Sequence, residues 1–173
     1  MSFYIDHYLS PIGKLIIVCE DDSLIGLFIE GQTIFSKQIK ELKVEERKDV
    51  LILNEVKKWL DDYFMFKHPN PRLLRIKLNG TEFQKRVWNL LLDIPYGEVR
   101  TYKSLGEIIA KERNLKKMSS QAIGQAIGHN PISIIIPCHR VIGSYNKLTG
   151  YNGGIDKKIE LLKIENVDLT NFK

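Results

Sequence analysis

Apolar and polar side chains alternate through "FYIDHYL" near the start of the chain, the period-two pattern of a strand with one covered face. "SPIG" then places a proline in a turn. "KLIIVCE", the acidic turn "DDS" and "LIGLFIE" follow as two strands joined into a hairpin. The period lengthens next. "FSKQIKELK" and "VLILNEVKKWLDDYF" read as helices, the second with Leu53, Val56, Leu60 and Phe64 at spacings of three and four. "HPNPRLLRIKL" holds two prolines and then a short strand. The character changes near Asn79 and Gly80, which divides the chain into domains 1–79 and 80–173.

The second segment predicts helices. Thr81 is placed to cap a helix whose apolar stripe is Phe83, Val87, Leu90, Leu91 and Ile94, with Pro95 and Gly97 ending it. "TYKSLGEIIAKE" is a second helix capped by Thr101, and "SSQAIGQAIGHN" a third capped by Ser119 or Ser120. Two short helices around a turn match a helix-turn-helix. In the third, Ala122, Gly124, Ala126 and Gly128 are expected to leave one side nearly bare. A bare helix serves either close helix packing or the approach of a nucleic-acid groove.

"IIIPCHRV" brings apolar packing and reactive groups together. Residues 134–136 read as a strand buried on both faces, ended by Pro137, which lacks an N–H. Cys138 then stands at a strand-to-turn junction. On a continuous strand Cys138 and His139 would face opposite ways. A joint role requires a turn at Pro137 or a bridging water. Read as a bare dipeptide, Cys-His is a buried thiol beside a surface histidine.

The composition narrows the classes. With 173 residues, 43% of them apolar, the chain is long enough for one large or two small domains with a real core. Residues 1–79 hold 12 basic and 12 acidic side chains, and the rest hold 14 and 9, so the whole +5 lies in the second half. That bias suits a polyanion such as nucleic acid. Cys19 and Cys138 do not form a disulfide framework, Cys19 reads as a buried hydrophobe, and His7, His68, His129 and His139 show no metal-ligand spacing. No apolar stretch is long enough to span a bilayer and no signal-peptide pattern opens the chain, so a cytoplasmic location is expected.

"FQKRVWNLLLDIPYGEVRTYKSLG", "QAIGQAIGHNPISIIIPCHRVIG" and "LTGYNGGIDKKIELLKIE" together resemble the O6-alkylguanine-DNA alkyltransferases (methylated-DNA–protein-cysteine methyltransferases), and "SPIGKL" resembles their N-terminal domain. The resemblance implies an α/β N-terminal domain, a small antiparallel sheet with helices of ribonuclease H-like type. It implies a mainly α C-terminal winged-helix or helix-turn-helix domain. It implies that Cys138 takes the alkyl group from guanine O6, and from O4-alkylthymine, permanently. His139 would accept the thiol proton through a water, Glu165 would polarise His139, and Asn130 would fix the hinge before the Cys138 segment. Tyr102 would help rotate the nucleotide, and its hydroxyl or Lys158 would stabilise the leaving guanine. The backbone at Cys138 and Val141 would accept from the guanine amino group, and Tyr151 and Asn152 would line the pocket. Gln84, Lys103, Ser119, Ser120, Gln121, Ala122 and Gly124 would contact double-stranded DNA through its minor groove.

Position 121 departs from the family, whose usual arginine fills the gap left by the flipped base; here it is glutamine. No metal and no cofactor are expected, and a monomer suffices. The competing readings are a non-catalytic alkylated-DNA-binding module, a helix-turn-helix transcription factor and a cysteine hydrolase. Cys138 and Glu165 together count against the first. The few polar side chains in "AIGQAIG" count against the second.

Overall fold

A computed structural model describes the backbone of residues 1–173 and all side chains except those of residues 34 and 36. The chain forms two compact units. The first is Met1–Asn79 with Pro131–Ile135, and the second is Gly80–Asn130 with Ile136–Lys173. The domain expected over 80–173 is therefore interrupted: five of its residues belong to the first unit.

In the first unit β1 (Phe3–Ser10), β2 (Gly13–Glu20) and β3 (Ser23–Ile29) form the antiparallel meander that the alternation predicts. After α1 (Thr33–Ile39), the short β4 (Val44–Glu46) joins the free side of β1 in parallel, giving the order β3-β2-β1-β4. The sheet is thus mixed, a correction to the antiparallel expectation. Residues Val44–Glu46 are too short and polar to signal a strand on their own. Both faces are covered. Ile16, Val18, Ile25 and Phe28 cluster with Ile39 of α1 on one side. On the other, α2 (Leu51–Phe64) buries Ile52, Leu53, Val56, Trp59, Leu60 and Tyr63. Phe64 of the expected stripe is only half-buried, and Tyr63 takes its place.

The outer edge of β3 is covered piecemeal, which removes an exposed row of backbone donors and acceptors. The predicted strand after the prolines is one bridge, Leu24 with Ile76, following a 3₁₀ turn at Pro71–Leu73. Further along, Leu27 N–H donates to Pro131 O (2.9 Å) and Ser133 N–H donates to Leu27 O (2.8 Å). Residues 134–136 are buried as expected, yet they form no strand. Ile134 adopts φ +71°, a conformation that β-branched residues avoid, and turns the chain back toward Cys138.

In the second unit α3 (Glu82–Leu92) starts at a reciprocal capping box between Thr81 and Gln84. Gly97 turns the chain at φ +79°, where a Cβ would come within 3.1 Å of Glu165 O. β5 (Arg100–Thr101) leads into α4 (Tyr102–Glu112), capped by Thr101, and α5 (Ser120–Gly128) is capped by Ser119. The buried Trp88 indole donates to Ala126 O (2.8 Å), locking α5 onto α3. Ala126 is therefore a packing residue, a correction to the single bare side: Gln121, Gly124, Gln125 and Gly128 form the outward face instead. β6 (Val141–Ile142) pairs in parallel with β5, and α6 (Ile155–Ile164) closes the unit.

Candidate active site

Asn130 and Ile136 stand at the two ends of the Pro131–Ile135 excursion. The Asn130 side-chain amide donates to Ile136 O (2.9 Å) and ties those ends together. Pro137 follows, and Cys138 opens a 3₁₀ turn over Cys138–Arg140. On that turn successive residues lie about 120° apart, so Cys138 and His139 leave the opposite-face arrangement of a strand without sharing one face, and a bridging water remains the route between them.

His139 is completely buried, and its Nε2 lies 2.7 Å from Glu165 Oε2 at the C-terminal cap of α6. With that nitrogen bearing the proton, Nδ1 keeps its lone pair, and it has no hydrogen-bond partner among the described residues. Arg140 binds the same carboxylate, donating from Nε to Glu165 Oε1 (2.6 Å), and from Nη1 to Ile94 O (2.6 Å). Its guanidinium lies 5.7 Å from the Tyr96 ring centroid, and Tyr96 donates to Ile164 O (3.0 Å). Glu165 is thereby fixed by a histidine, an arginine and the residues around its own helix end.

Burial disfavours charge throughout this group. It raises the Cys138 thiol pKa, against the opposing hydrogen bonds of Asn130 and Tyr151 and the charge of Lys158. Burial lowers His139 against the pull of Glu165, so the resting pair is a neutral thiol and a neutral imidazole. For Glu165 burial works upward, but the combined hold of His139 and Arg140 wins and keeps the carboxyl below its ordinary value. Lys158, wholly buried, is pushed down to about 8. It donates to Val141 O (2.5 Å), which occupies one of the two lone pairs of a predicted pocket acceptor.

The Tyr102 hydroxyl is 2.9 Å from Thr149 Oγ1, and burial raises its pKa. Tyr102 and Thr149 line a shallow groove of about 370 Å³ with Lys103, Ser120, Gln121 and Gly124. Ser119 caps α5 through Ala122 N–H (3.3 Å), so Ser119 and Ala122 shape the helix start below that groove. Asn152 is exposed and donates to Gly128 O (2.7 Å). Gln84 stands apart: its side-chain oxygen is taken by Thr81 N–H (3.0 Å) at the cap of α3. Two residues that sequence reasoning passed over enter the arrangement. Arg140 was signalled by a cation placed directly after a buried run. Thr149 had no local signal. Among the described residues no three His, Cys, Asp or Glu side chains are grouped as a metal site requires, and no helix is long and apolar enough to cross a membrane.

A buried thiol, a neutral imidazole oriented by a carboxylate, and a buried ammonium can together deprotonate a nucleophile and protonate a leaving group. Two family models match this chain. One is 6-O-methylguanine DNA methyltransferase, ribonuclease-like domain, over residues 3–78. The other is 6-O-methylguanine DNA methyltransferase, DNA binding domain, over residues 82–167. The methylated-DNA–protein-cysteine methyltransferase of Methanosarcina barkeri is 41% identical over 167 residues, covering 96% of this chain and 99% of the relative. That of Methanosarcina acetivorans is 42% identical over 159 residues, covering 90% and 94%. Among solved structures, Mycobacterium tuberculosis OGT in complex with DNA superposes with a TM-score of 0.77 at 36% identity, covering 95% of this chain and 92% of that one.

Proposed function

Because the chain belongs to the 6-O-methylguanine DNA methyltransferase family, we propose that it repairs DNA by moving the alkyl group of O6-alkylguanine irreversibly onto the sulfur of Cys138. The observation that carries this reading is the buried set Cys138, His139 and Glu165, gathered by one 3₁₀ turn and the end of α6.

The thiol is protonated at rest, so attack requires a base. His139 Nδ1 is the ring nitrogen free to take the proton, through a water where the reach requires it, while Glu165 stabilises the imidazolium that forms. The new bond is sulfur to alkyl carbon; the bond that breaks is alkyl carbon to O6. The electron pair returns to the guanine, which accepts a proton from Lys158 or Tyr102. Lys158 is suited to this: at about 8 its ammonium is protonated at neutral pH yet easily relieved of a proton. The product thioether has no leaving group under neutral conditions, and the other cysteine, Cys19, is completely buried with its thiol pushed up to about 12. Each chain therefore acts once.

Guanine O6 faces inward in a paired duplex, so the nucleotide must be rotated out. In this reading α5 enters the minor groove with Gln121 and Gly124 outward. Tyr102 stands beside the backbone of the target nucleotide, and Tyr151, Asn152 and the Val141 carbonyl border the pocket. Phosphate contacts by Lys103, Ser119 and Ser120 carry no sequence information, as repair at any site requires. O4-alkylthymine presents the same alkyl–oxygen bond and is included as a substrate. The test is the intact mass of the protein after incubation with a methylated duplex: one added methyl group on the Cys138 peptide is expected. Binding without any mass change would assign the chain to a damage-binding module instead.

A further inference from the structure

Among the described residues, the lysines of α4 and of the connection to α5 form no ion pairs. Lys103, Lys111, Lys116 and Lys117 surround a cleft of about 620 Å³ between α4 and the start of α5, with Ser120 and Ser144 on its rim. Among the described residues Glu107 is the single acidic side chain in its wall. Among the described residues the ion pairs of this unit use Lys85, Arg86, Arg100, Arg140 and Lys157, so none of the four exposed cleft lysines is in an ion pair and one carboxylate faces four ammonium groups. Like charges held around one cavity repel each other unless an anion is drawn in.

We infer that this cleft binds a second stretch of DNA phosphodiester backbone, extending the interface beyond the groove beside α5. The inference rests on the DNA-repair reading above. Three observations favour a nucleic-acid backbone. Lys103, Ser120 and Ser144 line both the cleft and the groove that holds Tyr102, Gln121 and Gly124, so the two are one continuous surface. Lysine is a compact, flexible point charge that suits phosphate oxygens presented in many orientations. The positive end of α5, nine residues long, opens at Ser120 on the same rim, where it adds to the attraction for anions.

The test is lysine acetylation of the intact wild-type protein, with and without a duplex containing O6-methylguanine, read by peptide mass spectrometry. Lys111, Lys116 and Lys117 are expected to lose reactivity several-fold on DNA binding, while exposed Lys48 of the first unit is unchanged. Equal labelling of the three with and without DNA overturns the inference. So does protection by polyglutamate as strong as that by DNA, which would assign the cleft to an acidic peptide. A second arm replaces Lys111→Gln, Lys116→Gln and Lys117→Gln together. The slope of log affinity against log salt should flatten by roughly two to three, since each phosphate neutralised contributes about 0.9. Transfer from free O6-benzylguanine, which has no phosphate, reports an intact fold. An unchanged salt slope overturns the inference while leaving the repair function standing. Failure of the wild type to bind duplex or take up its alkyl group would instead remove the repair function itself.

Discussion

His139 Nε2 and Glu165 Oε2 meet at 2.7 Å with neither side chain reaching solvent, and Arg140 draws on the same carboxylate. Glu165→Gln keeps the shape but removes the charge from two partners at once. Breaking a buried ionic group by changing one member typically costs about 3–5 kcal/mol. A lower melting temperature is expected, together with single-turnover transfer slowed by roughly a hundredfold or more. The wild-type carboxyl lies below its ordinary 4.5, so its contribution is present above that value and is lost as the pH falls through the folded-state pKa. The stability gap between wild type and variant should therefore close on acidification, as thermal melts across the acid range will show.

Cys138→Ser should abolish transfer and spare DNA binding. A hydroxyl of similar size fills the site but is a far weaker nucleophile than a thiolate. Intact mass and fluorescence anisotropy on the same methylated duplex check both halves. Alkylated serine protein would mean that another residue is the acceptor.

The pH dependence should carry the mark of Lys158. Because His139 is lowered, it stays a neutral base through pH 7; because Lys158 is at about 8, its donated proton is lost above that pH. Transfer from free O6-benzylguanine should be flat from neutrality to about pH 8 and then decline. The raised Cys138 pKa keeps thiolate formation from masking that decline. Lys158→Met should be slow at every pH and show no such limb. In stability the sign reverses. A folded pKa below the unfolded 10.5 penalises the native state most under protonating conditions, and the penalty fades as the pH rises. The melting temperature of Lys158→Met relative to wild type should fall between pH 8 and 10.

Gly124 separates the two explanations for the smooth helix. A Cβ there would meet the Tyr102 ring at 3.8 Å, an ordinary contact, and one at Gly128 would meet nothing. Close packing within the protein therefore requires neither glycine. Gly124→Ala should stabilise the fold by up to about 1 kcal/mol through helix propensity, yet weaken binding to duplex DNA. Gain in both, by thermal melt and anisotropy, would leave the glycine without a role in DNA approach.

Gln121 lies exposed in the first turn of α5, within the groove that includes Tyr102. Arginine there would add a planar charged group favoured by the negative minor groove. Gln121→Arg should strengthen binding to methylated duplex and speed transfer from it, leaving the rate on free O6-benzylguanine unchanged. Equal gains on both substrates would show that residue 121 does not fill the space of a rotated base.

What was legible in the sequence was local. The β1–β3 meander follows from alternation and turn residues, and Thr81, Thr101 and Ser119 cap their helices because each decision is made within four residues. Cys138, His139 and Glu165 were readable as a set only through the motif resemblance, since 26 residues separate the last two. The misses are tertiary. Parallel pairing of β4 with β1 and the placing of Thr149 against Tyr102 have no periodic signature. Residues 134–136 read as a strand because burial and β-branching look the same in a strand and in a buried turn.

The piece Pro131–Ile135 gives the order of synthesis a structural meaning. As the chain leaves the ribosome, β3 is complete by residue 29, but the partners of Leu27 arrive only with Pro131 and Ser133. Until then the first unit carries an unfinished edge. Its last backbone pairings can form only once the segment that delivers Cys138 has been made, so the acceptor thiol and the partners that complete the N-terminal edge come from the same stretch of chain growth.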